Sequence, residues 1–259
     1  MTDVDLKGFH AVITGGSSGF GFEMAKTLAS CGATVAIAAR GGEKLDAAYK
    51  ALLDEGADAV ALEMDVRDEG AVAAAAEKIS ARWERLDMLV NNAGIGMGAI
   101  NKDRGKPTPF YEIRPQDFYD VVETNFIGYF LVARAFVPMM LRCGGGRVVN
   151  VSTSLRTMTA PGQFAYGPAR AGAEAMSAIM TEELKPHNIT VNILLPGGAS
   201  NTGFVPPALR KDAESRGLLP ASILNEPILF LASEKAVGMT GERIIGKEFR
   251  QWLREKGFA

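Results

Sequence analysis

The chain has 259 residues, with 28 Lys and Arg against 30 Asp and Glu, which gives a formal net charge of -2. This near-neutral balance argues against nucleic acid as a partner, because phosphate binding needs a basic field. With only Cys31, Cys143, His10 and His187, we expect neither a disulfide framework, nor a metal site, nor a Ser-His-Asp triad.

Strand-like and helix-like segments alternate along most of the chain. Apolar runs predict strands at residues 9–14, 33–39, 57–64, 87–91, 147–152 and 189–195. Helical patterns predict helices at residues 20–30, 43–53, 69–83, 115–142 and 166–184, with a charged helical tail at 248–258. Strands that are apolar throughout fit a sheet that is covered on both faces. The alternation therefore predicts an α/β fold: one doubly wound, Rossmann-type, mostly parallel sheet with helices on both faces.

The pattern continues without a Pro- or Ser-rich linker, so we expect residues 1–259 to form a single dinucleotide-binding domain. Two long irregular stretches, at about residues 94–114 and 197–220, interrupt the regular elements. Long loops in compact domains tend to be functional. In open α/β sheets the ligand lies beyond the carboxyl ends of the strands, and both loops leave the predicted sheet at that end.

A glycine-rich turn lies between the first predicted strand and the first predicted helix. Its glycines permit a tight turn and a close backbone approach, and the helix that follows offers unpaired N–H groups and a positive dipole end to a pyrophosphate. A plain structural turn is the alternative, but the position after the first strand favours dinucleotide binding. The candidate cofactor residues here are Gly15, Ser17, Ser18, Gly19, Phe20 and Gly21.

The second predicted strand ends at Arg40, without the carboxylate that would bind the ribose 2′-hydroxyl of NAD. An arginine there suits a 2′-phosphate or stacks on adenine, so we favour NADP(H), while NAD(H) and a merely solvated Arg40 stay open. The ends of the next two strands carry polar and small residues that suit the adenosine edge. These candidates are Asp65, Val66, Asn92, Ala93 and Gly94.

Several motifs follow one another in a fixed order. They are Thr14-Gly-x3-Gly19-x-Gly21, Asp65, Asn91-Asn92-Ala93-Gly94, Asn125, Asn150-Val151-Ser152-Thr153-Ser154, Tyr166 and Pro196-Gly197. In this order the chain resembles the short-chain dehydrogenase/reductase family over about residues 6–200. The combination is far more specific than any one of its motifs.

The resemblance implies hydride transfer between a nicotinamide and a carbonyl or secondary alcohol. It makes Tyr166 the general acid/base, has a Ser or Thr hydroxyl orient the substrate oxygen, and has Asn125 hold a water relay. A buried, hydrogen-bonded polar residue is the alternative for Asn125. The resemblance also includes Pro196 and Gly197 among the cofactor-binding residues and gives Thr202 a contact with the nicotinamide amide. A dimer or tetramer is implied as well, because the family pairs the helices equivalent to 115–142 and 166–184 between subunits.

The chain departs from the family pattern four residues after Tyr166, where Arg170 stands in place of the usual Lys. Positions i and i+4 share a helix face, so the guanidinium keeps a positive charge near a phenol that ordinarily ionises only near pH 10. Arginine does not give up its proton, however, and its planar fork is bulkier. We therefore expect a working oxidoreductase, with a cofactor-binding protein of weak or no turnover as the alternative.

The hydroxyl partner is ambiguous in the sequence. The family's spacing counts back from Tyr166 to Thr153, while alternation along a strand puts Ser152 and Ser154 on the opposite side. We rank Thr153 and Ser154 equally and Ser152 last. Turn hydroxyls that only satisfy the backbone are the alternative.

Two sets of residues bear on the substrate without identifying it. Basic residues lie in the first loop and after the fifth strand, namely Lys102, Arg104, Lys106, Arg114 and Arg156. They would suit an anionic substrate, although a solvated, charged loop is the better explanation. An apolar wall or simple loop packing accounts for Phe110, Tyr111, Met158, Phe164 and Phe204. The N-terminus is acidic and no apolar run approaches the roughly 18 residues of a membrane span, so we expect a cytoplasmic protein.

Overall fold

Seven parallel strands form one sheet in the computed structural model, which describes residues 4–100, 107–204, 213, 215 and 217–258. The strands are β1 (His10–Thr14), β2 (Thr34–Ala39), β3 (Ala59–Glu63), β4 (Met88–Asn91), β5 (Gly146–Val151), β6 (Ile189–Leu195) and β7 (Arg243–Ile245). Their order across the sheet is β3-β2-β1-β4-β5-β6-β7. The predicted fold class, a doubly wound parallel sheet, is confirmed.

Nine α-helices connect and flank the strands in the described ranges. They are α1 (Gly19–Ser30), α2 (Glu43–Asp54), α3 (Glu69–Arg82), α4 (Pro115–Val122), α5 (Gly128–Arg142), α6 (Leu155–Met158), α7 (Tyr166–Leu184), α8 (Asn225–Ala232) and α9 (Phe249–Glu255). Most ends fall within two residues of the predicted ones. The third strand starts two residues late, because Gly56 adopts a φ of +82° and Ala57 still closes the turn that ends α2 with a bond to Leu52.

The order of the strands reverses beside β1, which pairs with β2 on one side and with β4 on the other. From β1 the chain winds out to β3, then returns to β4 and winds the opposite way. The loops that follow β1 and β4 therefore diverge, and they leave a crevice at the carboxyl ends of the strands. Ligands of open α/β sheets bind at such a switch point.

Alternate residues of β1 enter the hydrophobic layers on the two faces of the sheet. Ile13 packs in one cluster with Met24 of α1, and Val12 packs in the other with Phe136 of α5. All four side chains are almost completely buried. A strand that is covered on both faces needs an apolar residue at every position, which explains the unbroken apolar runs in the sequence.

The predicted single helix over residues 115–142 is interrupted. A π-helical turn, Glu123–Ile127, separates α4 from α5. Within it the Thr124 hydroxyl donates to the Asp120 carbonyl at 2.7 Å, and the Asn125 side chain leaves the helix to bond with Ile95. Such widened turns occur frequently at functional sites, and this one brings the buried Asn125 side chain to Ile95 in the loop after β4.

The stretch Pro115–Arg142 is also the one part of the described chain with the length and apolar composition of a membrane span. The expectation that no run approaches such a length is therefore wrong by this measure. Half of the window is buried inside the fold. Since buried core helices have the same composition, the finding is weak support for a span.

Candidate active site

The turn after β1 can be built only from glycine at several positions. Gly15 and Gly19 adopt φ values of +65° and +56°, in the left-handed region. A Cβ on Gly21 would collide with the Gly15 carbonyl oxygen, and one on Gly16 would lie 2.8 Å from the Ile37 side chain. These close approaches hold the start of α1 tightly against the ends of β1 and β2.

The first turn of α1 points its N–H groups into the crevice. Ser18 is the N-cap residue, and in the described part of the chain its side chain makes no capping hydrogen bond. Uncapped N–H groups and the positive end of the helix dipole form an anion site. Thr202 stands over this turn, since a Cβ on Gly19 would lie 3.4 Å from the Thr202 Cβ. The cradle fits a pyrophosphate.

Thr14 locks the end of β4 to the end of β1. Its hydroxyl oxygen accepts hydrogen bonds from the backbone N–H groups of Asn92 and Ala93, at 2.9 and 3.0 Å. The Asn92 amide donates back to the Thr14 carbonyl at 2.9 Å. Thr14 is completely buried. Thr14 belongs to the glycine motif in the sequence but was not predicted to have this role, for which its position at the strand end was the available signal.

The residues predicted for the 2′-phosphate and for part of the adenosine edge follow β2 and β3, while the other adenosine-edge candidates, Asn92, Ala93 and Gly94, follow β4. Arg40 is exposed directly after β2. The Asp65 carboxylate holds the Arg67 guanidinium through two oxygens, at 3.1 and 2.7 Å, and this hydrogen bonding lowers the pKa of Asp65 below its usual range. Val66 is buried beneath them and packs against Gly128, the first residue of α5.

Tyr166 begins α7, and Arg170 lies one turn later beneath its ring. The Arg170 side chain is only 2% exposed, and its guanidinium carbon is 5.3 Å from the centre of the Tyr166 ring. On the other side it lies 5.2 Å from the ring of Tyr129 in α5. Burial opposes the positive charge of Arg170, but interactions with the two phenols raise its pKa above the ordinary value. The guanidinium therefore stays charged.

Hydrogen bonds hold one nitrogen of the Arg170 guanidinium, Nη1. Nη1 donates to the Tyr129 hydroxyl at 2.6 Å and to the Val151 carbonyl at 2.9 Å. Nη2 faces Gly94, because a Cβ built there would lie 2.5 Å from it. Nε is buried and has no hydrogen-bond partner among the described residues. Tyr129 was not predicted as a site residue, since nothing in its local sequence pattern separates it from an ordinary core aromatic.

The three candidate hydroxyls at the end of β5 have different surroundings. The Ser152 hydroxyl donates to the Glu174 carboxylate at 2.5 Å, and Glu174 in turn pairs with Arg243. Ser154 caps α6, since its oxygen accepts from the Thr157 N–H at 3.1 Å. Across the described ranges, no hydrogen bond of the Thr153 hydroxyl is seen, while its carbonyl accepts from Arg243 at 2.7 Å.

Pro196 and Gly197 turn the chain back over the crevice after β6. Gly197 adopts a φ of +89°, and a Cβ there would lie 2.6 Å from Ile245. The turn leads to Phe204, whose ring stands edge-on to Tyr166 with centroids 6.4 Å apart. The described part of this loop therefore reaches the proposed acid/base group.

The residues considered for substrate binding do not lie together in one place. Lys102, Arg104 and Lys106 lie outside the described residues. Arg114 pairs with Asp117 at the start of α4, and Arg156 is exposed on α6. Of the aromatic set, Phe110 contacts Tyr111 and Phe164 in an exposed cluster, with centroids 5.4 and 5.3 Å apart. Met158 lies against α7, where its carbonyl abuts Gly167.

Comparison with known proteins gives a consistent result. Residues 9–212 match the family model described as short chain dehydrogenase. The chain is 31% identical to the oxidoreductase YxjF of Bacillus subtilis, over 91% of this chain and 95% of that protein. It is 33% identical to the 2-dehydro-3-deoxy-D-gluconate 5-dehydrogenase of Formosa agariphila, over 74% and 70%.

Solved structures have the same architecture. A short-chain type dehydrogenase/reductase from Mycobacterium marinum superposes with a TM-score of 0.83 at 27% identity, covering 95% of this chain and 96% of that one. A metagenomic short-chain oxidoreductase in complex with NADP gives a TM-score of 0.77 at 27% identity, covering 93% and 97%. The chain thus belongs to the short-chain dehydrogenase/reductase family of oxidoreductases.

Proposed function

We propose that this protein is an NADP(H)-dependent oxidoreductase that interconverts a carbonyl compound and a secondary alcohol, with Tyr166 as its general acid/base. The observation that carries the proposal is the place of Tyr166 over a buried, permanently charged guanidinium. This charge lies 5.3 Å from the phenol ring, and Nη2 of the same side chain faces Gly94 at the edge of the crevice.

The bound nicotinamide would supply or accept the hydride, and this chain's own residues handle the rest. The glycine turn and the first turn of α1 bind the pyrophosphate, with Thr202 above it. During reduction the Tyr166 hydroxyl donates a proton to the nascent alkoxide, while a hydroxyl at the end of β5 orients the substrate oxygen. A nearby cation favours the ionised phenol that forms.

The NADP preference rests on Arg40, which is exposed at the end of a strand that carries no carboxylate there. Guanidinium groups bind phosphate with two parallel hydrogen bonds. The structural relative that contains NADP agrees with this choice. Assembly into a dimer or tetramer fits exposed apolar side chains on the π-helical turn, α5 and α7, namely Ile127, Phe130, Leu141 and Ile179. A cytoplasmic location stays a prediction.

A cofactor-binding protein without turnover is the second candidate, and its only support is Arg170. Arginine preserves the charge that favours a tyrosinate, although it cannot pass a proton on. The buried position of that charge beneath Tyr166 makes the active enzyme the better conclusion.

The test is a panel of carbonyl and alcohol substrates, followed at 340 nm with each nicotinamide cofactor. Once a substrate is found, Tyr166→Phe should lower kcat by at least a hundredfold, because general acid/base groups contribute about 10²–10⁴-fold. NADPH binding, measured by fluorescence, should change little. Turnover by Tyr166→Phe at the wild-type rate would contradict the mechanism, and cofactor binding with no turnover across the panel would favour the second candidate.

A further inference from the structure

The hydroxyl of Tyr129 completes a closed set of hydrogen bonds around Arg170. Arg170 Nη1 donates to the Tyr129 hydroxyl at 2.6 Å and to the Val151 carbonyl at 2.9 Å, and the Tyr129 hydroxyl donates to the same carbonyl at 3.0 Å. Tyr129 is only 1% exposed. Each corner of this triangle thus lies on a different element: α5, β5 and α7.

The triangle fixes the direction in which the guanidinium points. A guanidinium is planar and rigid. Nη1 is anchored at the Tyr129 hydroxyl and the Val151 carbonyl, and the guanidinium carbon lies 5.2 and 5.3 Å from the centres of the two phenol rings. These contacts set the direction of Nη2. That direction is toward Gly94 at the crevice. Because Nε has no partner in the described part of the chain, the triangle supplies most of what holds the fork.

We propose that Tyr129 is a positioning residue for the reaction: it holds the Arg170 guanidinium so that its charge stays beneath Tyr166 and Nη2 faces the cofactor side of the crevice. The inference rests on the proposed function, since it assigns a residue to that same site. It explains why a side chain with a polar tip stands near the start of α5, on a helix face whose other buried residues are apolar.

The protonation state of Tyr129 fits this role. Burial raises the pKa of the Tyr129 phenol, although the nearby guanidinium opposes the shift. The phenol thus remains neutral, and only a neutral phenol can accept from Arg170 while donating to Val151. A phenylalanine would leave a buried charged donor with one acceptor fewer, and unsatisfied buried charge is costly.

No carboxylate competes for the guanidinium in the parts of the chain that the structure describes. The ionisable groups that act on Arg170 are the two phenols, Tyr129 and Tyr166. Glu174, one helical turn further along α7, bonds instead with Ser152 and Arg243. The charge of Arg170 is therefore available to Tyr166, provided that the guanidinium is held in place.

The first experiment is Tyr129→Phe, with kcat, KM and the pH profile of kcat measured on a substrate from the panel. We expect kcat to fall about tenfold, and its profile to move to higher pH by about one unit, because a charge that is less firmly held favours the ionised phenol less. KM for the substrate should stay within twofold. Tyr49→Phe, on the half-buried face of α2, is the matched control and should leave all three unchanged.

The second experiment repeats Tyr129→Phe in an Arg170→Lys background. If Tyr129 acts through the guanidinium, the double variant should have the same kcat and pH profile as Arg170→Lys alone. A packing role predicts instead equal losses in both backgrounds and an unmoved pH profile, and that result would overturn the proposal. If Tyr129→Phe fails to fold, recovery of the fold in the Lys background supports the coupling, while failure in both contradicts it.

The outcomes separate this inference from the proposed function. Wild-type turnover by Tyr166→Phe removes the mechanism itself. Loss of turnover in Tyr166→Phe together with an unchanged Tyr129→Phe leaves the mechanism standing and removes only the role of Tyr129.

Discussion

The side chain of Asn125 pairs with both backbone polar groups of Ile95, as a neighbouring strand would. Asn125 Oδ1 accepts from the Ile95 N–H at 2.9 Å, and Nδ2 donates to the Ile95 carbonyl at 2.8 Å. Asn125 is completely buried. The pairing ties the loop after β4 to the π-helical turn, and so fixes the crevice edge that Arg170 faces.

Gly94 is the point at which these two groups meet. A Cβ on this residue would lie 2.5 Å from Arg170 Nη2 and 2.7 Å from Asn125 Oδ1. Since both atoms belong to hydrogen-bonded, buried side chains, neither can withdraw freely. We expect Gly94→Ala to lower kcat/KM at least tenfold and the free energy of unfolding by about 1–3 kcal/mol, the usual cost of overpacking. Steady-state kinetics and urea denaturation measure the two effects.

Gly203→Ala is the matched control for this prediction. A Cβ on Gly203 meets nothing within 4 Å among the described residues, so the same chemical change should leave kinetics and stability close to wild type. If Gly94→Ala had the same kinetics and stability as Gly203→Ala, the prediction would be wrong, because the side chains around Gly94 would then accommodate a methyl group without measurable cost.

The sheet was predictable from the sequence because most interior positions of its strands are apolar on both faces. Val12 and Ile13 face opposite layers, and each meets a buried partner, so that an unbroken apolar run is the direct mark of a covered parallel strand. The glycine turn was predictable for a similar reason. Gly15 and Gly19 have positive φ values, which only glycine adopts without strain.

The details of the site were not predictable in the same way. The π-helical turn at Asn125 is stabilised by bonds to Ile95, 30 residues away, and no local pattern announces it. The pairing of Tyr129 with Arg170 joins residues 41 positions apart in two different helices. Both depend on tertiary contacts, whereas periodicity reports only which face of an element is buried.

We propose that the choice between NADP(H) and NAD(H) depends on two opposite charges near the end of β2. Arg40 is exposed there, and the Glu63 carboxylate at the end of β3 packs against Gly41, since a Cβ on that glycine would collide with it. A 2′-phosphate placed by Arg40 would therefore have a carboxylate nearby. We expect Arg40→Ala to raise KM for NADPH about tenfold with little effect on NADH, because hydrogen bonds between charged groups are strong. Glu63→Gln should lower KM for NADPH.

Initial rates with both cofactors test this prediction. Arg254→Ala, an exposed arginine on α9, controls for the loss of one positive charge elsewhere and should change neither KM. Equal use of NADPH and NADH by the wild-type enzyme, or equal changes for both cofactors in Arg40→Ala, would refute the assigned preference.

The three hydroxyls at the end of β5 differ in what they already bind. The Ser152 hydroxyl donates to Glu174. The Ser154 oxygen caps α6 and makes a second hydrogen bond, with the Thr157 hydroxyl at 2.9 Å, whereas the Thr153 hydroxyl has no hydrogen bond in the described part of the chain. A hydroxyl that orients a substrate must have its donor available. The structure thus distinguishes two residues that the sequence ranked equally, and we propose Thr153 as the group that orients the substrate oxygen.

The corresponding variants should separate kinetic from structural effects. Thr153→Val keeps the shape of the side chain and removes the hydroxyl, so that kcat should fall about 10–100-fold with the free energy of unfolding nearly unchanged, whereas Thr153→Ser should retain most of kcat.

Ser154→Ala removes the cap of α6 and should cost about 1 kcal/mol of stability with a smaller effect on kcat. Steady-state kinetics and urea denaturation of the three variants decide the matter. If instead Ser154→Ala abolishes turnover while Thr153→Val remains active, the orienting hydroxyl is that of Ser154. Its O–H must then point to the substrate and not to the Thr157 hydroxyl, which lies 2.9 Å away.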